Sequence, residues 1–245
     1  MEFSRMSATI IIPTTGSPDL ERAIDSVLSQ TTKTTCYVVV DGNQYYVPTN
    51  KILEKFIKDK NFDLIKWCNL PINVGAKGFY GHRVYAAFTH LVDTEYIGYL
   101  DQDNWLDANH VKSCIDTIKS KNLDWCHSLR SIYTKDGKFV CRDDCESLGK
   151  HLAWTGVNHI DTNTYFLKTE IAIRIASAWH GGWGQDRVFL QAISQHFPKA
   201  DCTGEYTVNY RVGGGPGSVS AEFFQQGNKI MNDKYKGELP WQKRI

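Results

Sequence analysis

Residues 8–42, ATIIIPTTGSPDLERAIDSVLSQTTKTTCYVVVDG, set two β-branched apolar runs on either side of an amphipathic segment. ATIIIPTT is short, apolar throughout and closed by Pro13, the pattern of a strand buried on both faces that opens into a loop. Leu20, Ala23, Ile24, Val27 and Leu28 then recur at helical spacing, behind Ser17 as capping residue and Pro18 in the first turn. The second run, CYVVVDG, ends on Asp41 and Gly42. Strand, helix and strand in this order predict a β-α-β unit and therefore parallel pairing, since a hairpin leaves no room for a helix.

The alternation continues in both directions of the argument. ILEKFIKD (52–59) repeats the helical period, FDLIKWCNL (62–70) reads as a third strand and GHRVYAAFTHLV (81–92) as a third helix, before the strand that delivers LDQDN (100–104). A helix is predicted at 107–121. Beyond it come shorter strands with hairpin signals: WCHSLRSIYTKDGKFVCRDD (125–144), turning at Asp136 and Gly137, and HIDTNTYFLK (159–168). Helices at 170–179 and 187–197, a strand at 206–212 and the glycine loop GGGPGS (213–218) follow. The fold class expected is α/β: a mainly parallel central sheet flanked by helices, with a smaller antiparallel part sharing the same core. No linker and no internal repeat interrupts residues 1–245, so one domain is expected.

Composition narrows the partners. Of 245 residues, 28 are Lys or Arg and 27 are Asp or Glu, so no overall positive field draws the chain to nucleic acid, and none is expected as a partner. No apolar stretch approaches the roughly 20 residues of a spanning helix, and the opening MEFSRMSATIIIPTT lacks the apolar block of a signal peptide. A cytoplasmic protein with at most peripheral membrane contact is expected. Seven cysteines without a framework spacing fit reduced thiols. Cys141, Cys145 and His151 are close in sequence but match no common zinc spacing.

In open parallel sheets, ligands bind beyond the carboxyl ends of the strands, where Thr14, Thr15, Asp41 and Asp101 all fall. Asp101 and Asp103 stand two residues apart, so on extended backbone they face one side and can share a hard cation such as magnesium or manganese. A solvated loop in which Asp103 caps the next helix is the simpler alternative.

Four segments in register, TIIIPTT, VVVDG, NVGAKGFYGHR (73–83) and LDQDN, resemble those of the family 2 glycosyltransferases with the GT-A fold, and GGWGQDR (181–187) resembles that family's G-x-x-x-E-D segment. The resemblance spans residues 8 to about 220. It implies a nucleotide-sugar-binding half at about 8–110, an acceptor-binding half at about 111–220 and a C-terminal tail at 221–245. It implies an inverting transfer from a nucleoside-diphosphate sugar to a glycan or glycoconjugate acceptor, dependent on Mn2+ or Mg2+. Asp103 would then hold the metal, with Asp101 touching the ion, its water or the ribose, and Asp186 would be the general base. The alternative for Asp186 is a helix cap. Two departures stand out: Asp41 is a single acid where the family usually has two, and Gln185 replaces the usual Glu.

On the donor side, Pro13, Thr14, Thr15, Asp41 and Gln102 lie at strand ends, and Asn73, Gly75, Lys77 and Arg83 come from the third segment. Lys77 and Arg83 suit phosphate, although both also fit solvated surface cations. On the acceptor side, Trp154 and Trp183 offer indole faces, and His159, Asp161 and Asn163 offer polar groups. Each Trp equally fits a core position, and His159 fits a satisfied interior histidine or a third metal ligand. Arg211 and Ser218 flank the glycine loop, which reads as a lid over the diphosphate or as a plain connector. A sugar nucleotidyltransferase and a catalytically silent carbohydrate-binding domain remain the competing functions.

Overall fold

The computed structural model describes residues 7–58, 62–213 and 219–243. Strand β1 (Ala8–Thr14) is buried at all seven positions and pairs in parallel with β2 (Thr34–Val40), with helix α1 (Leu20–Leu28) crossing between them. Helix α1 starts later than Ser17 suggests, because residues 18 and 19 form a turn in which the Asp19 N–H donates to Ser17 Oγ at 3.3 Å. Helix α2 (Tyr46–Ile57) leads to β3 (Ile65–Asn69), parallel to β2, while α3 (His82–Phe88) precedes β4 (Tyr96–Tyr99), parallel to β1 on its other side.

The remaining elements extend the same sheet. These are β5 (Trp105–Leu106), α4 (His110–Lys121), the hairpin of β6 (Trp125–Tyr133) and β7 (Phe139–Arg142), β8 (Tyr165–Lys168), α5 (Thr169–Ile175), α6 (Gln185–His196), β9 (Ala200–Arg211) and α7 (Ala221–Tyr235). The order is β3-β2-β1-β4-β8-β6-β9-β5, with β7 paired to β6. Strand β8 runs antiparallel to both β4 and β6, whereas β6 and β9 are parallel. One mixed sheet thus crosses both halves of the chain, as the sequence predicts, although HIDTNTYFLK begins with a 3-10 turn at Thr162–Thr164 before it becomes a strand.

Strand alternation sends Ile10, Ile12 and Val38 into one apolar layer with α1 and α4, and Ile11 and Val39 into another with α3, α5 and α6. A third cluster seats α7 and the tail: Phe224, Met231 and Trp241 pack on Leu129, Ile132 and Cys145, and the Trp241 indole donates to Asp144 Oδ1 at 2.7 Å. The tail therefore packs on the body. Cys145 is a buried packing residue, and no group of three or more potential metal ligands occurs among the described residues. No helix there is long and apolar enough to cross a membrane.

Candidate active site

The sheet reverses direction of winding between β1 and β4, and the crevice at such a switch point is where α/β sheets take ligands. The residues flanking it are tied together. Gln102 Oε1 accepts from Thr14 Oγ1 at 2.7 Å, from the Thr15 N–H at 3.0 Å and from the Ser17 N–H at 3.3 Å. Its Nε2 donates to Thr15 Oγ1 at 3.1 Å. The residue between the two acids thereby fixes the loop after β1, so Gln102 and Thr14 use their polar atoms on each other. Thr15 remains exposed.

Asp41 is buried at the end of β2, where its two oxygens accept the N–H groups of Val74 (2.7 Å) and Gly75 (2.8 Å). It shapes the 73–83 segment from beneath. A Cβ at Gly75 would lie 2.1 Å from the Tyr80 carbonyl oxygen and 2.7 Å from Asp41 Oδ2, which accounts for glycine there. Pro13 packs against Gly81, whose added Cβ would meet the proline ring at 2.8 Å. Lys77 and Tyr80 hold left-handed backbone (φ 63° and 51°), a strained choice for non-glycine residues. Lys77 is exposed; Arg83 lies 3.3 Å over the Phe79 ring and donates to the Val74 carbonyl at 3.3 Å. Asn73 Oδ1 and Arg83 Nε are buried without a hydrogen-bond partner in the protein.

Asp101 lies just past β4. Tyr85 Oη donates to its Oδ1 at 2.8 Å and Asn163 Nδ2 to its Oδ2 at 2.9 Å, while Asn163 Oδ1 accepts the Asp101 N–H at 2.6 Å. Burial, then the charges of Asp103 and Asp161, push the Asp101 carboxyl up to about 7 against these hydrogen bonds. Asp103 is also raised, again chiefly by burial and against the pull of Arg211. Arg211, at the end of β9, grips Asp19 through both ends of its guanidinium (2.9 and 2.8 Å) and stands 3.7 Å from Asp103. It is an anchored strand residue rather than a free lid contact; Ser218 lies outside the described residues.

The second half reaches the 73–83 segment through the loop that precedes Asp186. The loop before α6 touches the 73–83 segment: His82 Nδ1 lies 3.3 Å from the Gly181 carbonyl, and a Cβ at Gly182 would lie 3.0 Å from the Gly78 carbonyl oxygen. Asp186, in the first turn of α6, has Oδ1 on the Arg187 N–H (2.8 Å) and Oδ2 on His159 Nε2 (2.6 Å). Burial opposes its charge, but His159 and Arg187 outweigh it and hold the carboxyl below its ordinary value. Trp183 is 76% exposed beside it, with the Arg187 guanidinium 5.5 Å from the ring.

Three residues expected on the acceptor side are engaged within the protein. Asp161 is buried against Arg130 at 2.5 Å, Asn163 supports Asp101, and Trp154 packs edge-on to Phe223 and over Gly227. An interior arginine demands counter-charges, and a short polar run gives no sign of which of its members supply them. The sequence reading missed Arg130, Glu146 and Tyr85. The signal was an Arg inside the apolar alternation of β6, where a charge needs partners. It also missed a groove of about 680 Å³ beside α6, floored by Trp125, Ile160 and Leu190 and edged by Asn158 and Arg187.

Comparison places the chain among known proteins. An uncharacterized protein of Haemophilus influenzae is 38% identical over 63 residues, 25% of this chain and 43% of that one. The crystal structure of S. aureus TarS 1–349 superposes with a TM-score of 0.64 at 14% identity, covering 94% of this chain and 65% of that one. The same protein in complex with UDP-GlcNAc gives 0.63 at 16% identity, covering 94% and 66%. The chain thus spans about two thirds of the length of these solved relatives, and the likeness establishes a shared GT-A fold. Residues 9–179, well over half of the chain, match the family model of glycosyl transferase family 2, and the chain belongs to that family.

Proposed function

We propose that the chain transfers a sugar from a nucleoside-diphosphate sugar to a hydroxyl of a saccharide or glycoconjugate, with inversion and with a divalent cation. The observation that carries this reading is the run of polar contacts that joins strand-end Asp101, through Asn163, Asp161, Arg130 and Glu146, to His159 and Asp186 in the first turn of α6. Burial raises both Asp101 and Asp103, and for Asp101 the neighbouring charges of Asp103 and Asp161 add to it, so a cation would relieve both, and their hard oxygen donors fit Mn2+ or Mg2+. Asp103 would hold the ion with Asp101 beside it; when bound, such a cation neutralises charge on the departing diphosphate. Asn73 and Arg83 carry buried polar atoms without a protein partner, which a shift on donor binding would satisfy, and exposed Thr15 and Lys77 border the same segments. Asp186 takes the proton of the attacking hydroxyl, and attack from the side opposite the leaving group inverts the anomeric carbon. Exposed Trp183 offers a stacking face for the acceptor.

The UDP-GlcNAc complex of TarS makes UDP sugars the first donors to try. Release of nucleoside diphosphate from UDP, GDP or dTDP sugars, assayed with and without manganese and with added saccharides, tests the reading. Pyrophosphate release from a nucleoside triphosphate plus sugar phosphate would replace it with nucleotidyl transfer. Asp103→Asn is expected to abolish the manganese dependence of donor binding, measured by calorimetry with the ion present and absent. Gly75→Ala is expected to cost about 1–3 kcal/mol of stability through overpacking and to weaken donor binding, because the Tyr80 carbonyl and Asp41 must both move. A melting curve and a donor titration read the two effects.

A further inference from the structure

Behind the candidate base lies a buried polar chain that glycosyl transfer by Asp186 alone leaves unexplained. Arg130, 1% exposed in the middle of β6, donates to Asp143 (2.7 Å), Glu146 (2.5 Å) and Asp161 (2.5 Å). Asp161 Oδ1 accepts from Asn163 Nδ2 at 2.8 Å, and Asn163 holds Asp101. At the other end His159, buried, sits between two carboxylates: Nε2 is 2.6 Å from Asp186 Oδ2 and Nδ1 is 3.8 Å from Glu146 Oε1. That Nδ1 atom is buried with no hydrogen-bond partner. An orphaned polar atom in a protein interior is costly, so its retention calls for a role.

We propose that His159 is a positioning residue for Asp186 and the resting place of the proton that Asp186 takes from the acceptor hydroxyl. The inference rests on Asp186 being the base. As the acceptor oxygen bonds to the anomeric carbon, the bond from that carbon to the diphosphate oxygen breaks and its electron pair leaves with the diphosphate. The hydroxyl proton passes to Asp186 and on to His159 Nε2, the acting tautomer carrying its hydrogen on Nδ1, which faces Glu146, and leaving the Nε2 lone pair toward Asp186. The imidazolium so formed lies between the Asp186 and Glu146 carboxylates, and it returns the proton to solvent when product leaves. No oxidant or other co-reactant enters.

The charges around the ring set the direction of pH dependence. Burial disfavours the imidazolium and Arg130 opposes it, but the hydrogen bond and charge of Asp186, then the charge of Glu146, outweigh them and raise His159 above its ordinary value. Arg187 stands 3.8 Å from Glu146, His82 feels the Asp186 charge, and Tyr165 Oη donates to the Asp186 carbonyl at 3.3 Å. A ring that already carries its proton cannot receive another. Transfer therefore rises with pH as His159 deprotonates, on a limb above the ordinary imidazole value of about 6.5.

The test is a titration of the full chain labelled with 15N-histidine, the His159 signal being identified by its loss in His159→Gln. The expected midpoint lies above about 6.5 and falls by roughly a unit or more in Asp186→Asn. In transfer assays, His159→Gln should lower kcat about tenfold, leave the donor KM unchanged and move the rising limb to lower pH. A midpoint at or below the ordinary value, or one insensitive to Asp186→Asn, overturns the pairing; should His159→Gln not fold, His159→Asn identifies the signal, and should Asp186→Asn not fold, Asp186→Ser takes its place. If the midpoint behaves as expected but Asp186→Asn transfers sugar at the wild-type rate, the pair stands and the base assignment fails.

Discussion

Asp186→Asn is expected to bind the donor as the wild type does and to transfer sugar about 10²–10⁴-fold more slowly, the range that a positioned general base supplies. The substitution keeps the size of the side chain and its place in the first turn of α6. The amide still has an oxygen for the Arg187 N–H, but it offers no site for a proton. Binding should survive because the residues proposed to hold the donor, Asn73, Arg83 and the strand-end acids, lie on other segments. Calorimetry of donor binding beside single-turnover transfer separates the two quantities. A variant that transfers at the wild-type rate would return Asp186 to the role of helix cap, and one that loses donor affinity in proportion would make it a binding residue.

Arg130→Met is expected to destabilise the fold by about 3–5 kcal/mol, because three carboxylates gathered on one buried cation lose it together. Asp143 is held below its ordinary value: burial opposes its charge, and the Arg130 ion pair and hydrogen bonds, with those from the Glu146 and Cys145 N–H groups, outweigh that cost. Its contribution is therefore complete above the unfolded carboxylate value of about 3.9 and fades as pH falls through the lowered folded one. Urea unfolding near neutral pH measures the loss. A change below about 1 kcal/mol would mean that solvent reaches the three acids and that the network carries little. The effect extends to the crevice, since Glu146 faces His159 and Asp161 orients Asn163 against Asp101.

The strand-end geometry of the first half was legible in the sequence. The strand-helix-strand pattern of residues 8–42 dictates a parallel sheet, and a parallel sheet puts every strand end on one side, so Thr14, Asp41 and Asp101 converge without any knowledge of contacts. The period-2 expectation for Asp101 and Asp103 does not hold, because residues 101–104 form a turn in which the Asn104 N–H donates to the Asp101 carbonyl at 3.2 Å. Gln102 illustrates where such reading thins out: it stands among the acids, yet its oxygen accepts from the loop after β1, 85 to 88 residues away in sequence. The acceptor side was less legible still. His159, Asp161 and Asn163 share one short segment but take three different duties, one on Asp186, one on Arg130 and one on Asp101.

The sequence by itself determined the layered α/β architecture and the convergence of the strand ends, because these depend on local periodicity and on the handed geometry of β-α-β units, while the candidacy of Asp186 came from the family resemblance. Only the tertiary structure decided which polar side chains face the crevice and which serve the interior. That choice follows from where Arg130 is buried. A charge removed from water must collect its partners from wherever the chain passes, and Asp143, Glu146 and Asp161 were drawn inward for it, while His159 was left between two acids with one nitrogen unpaired.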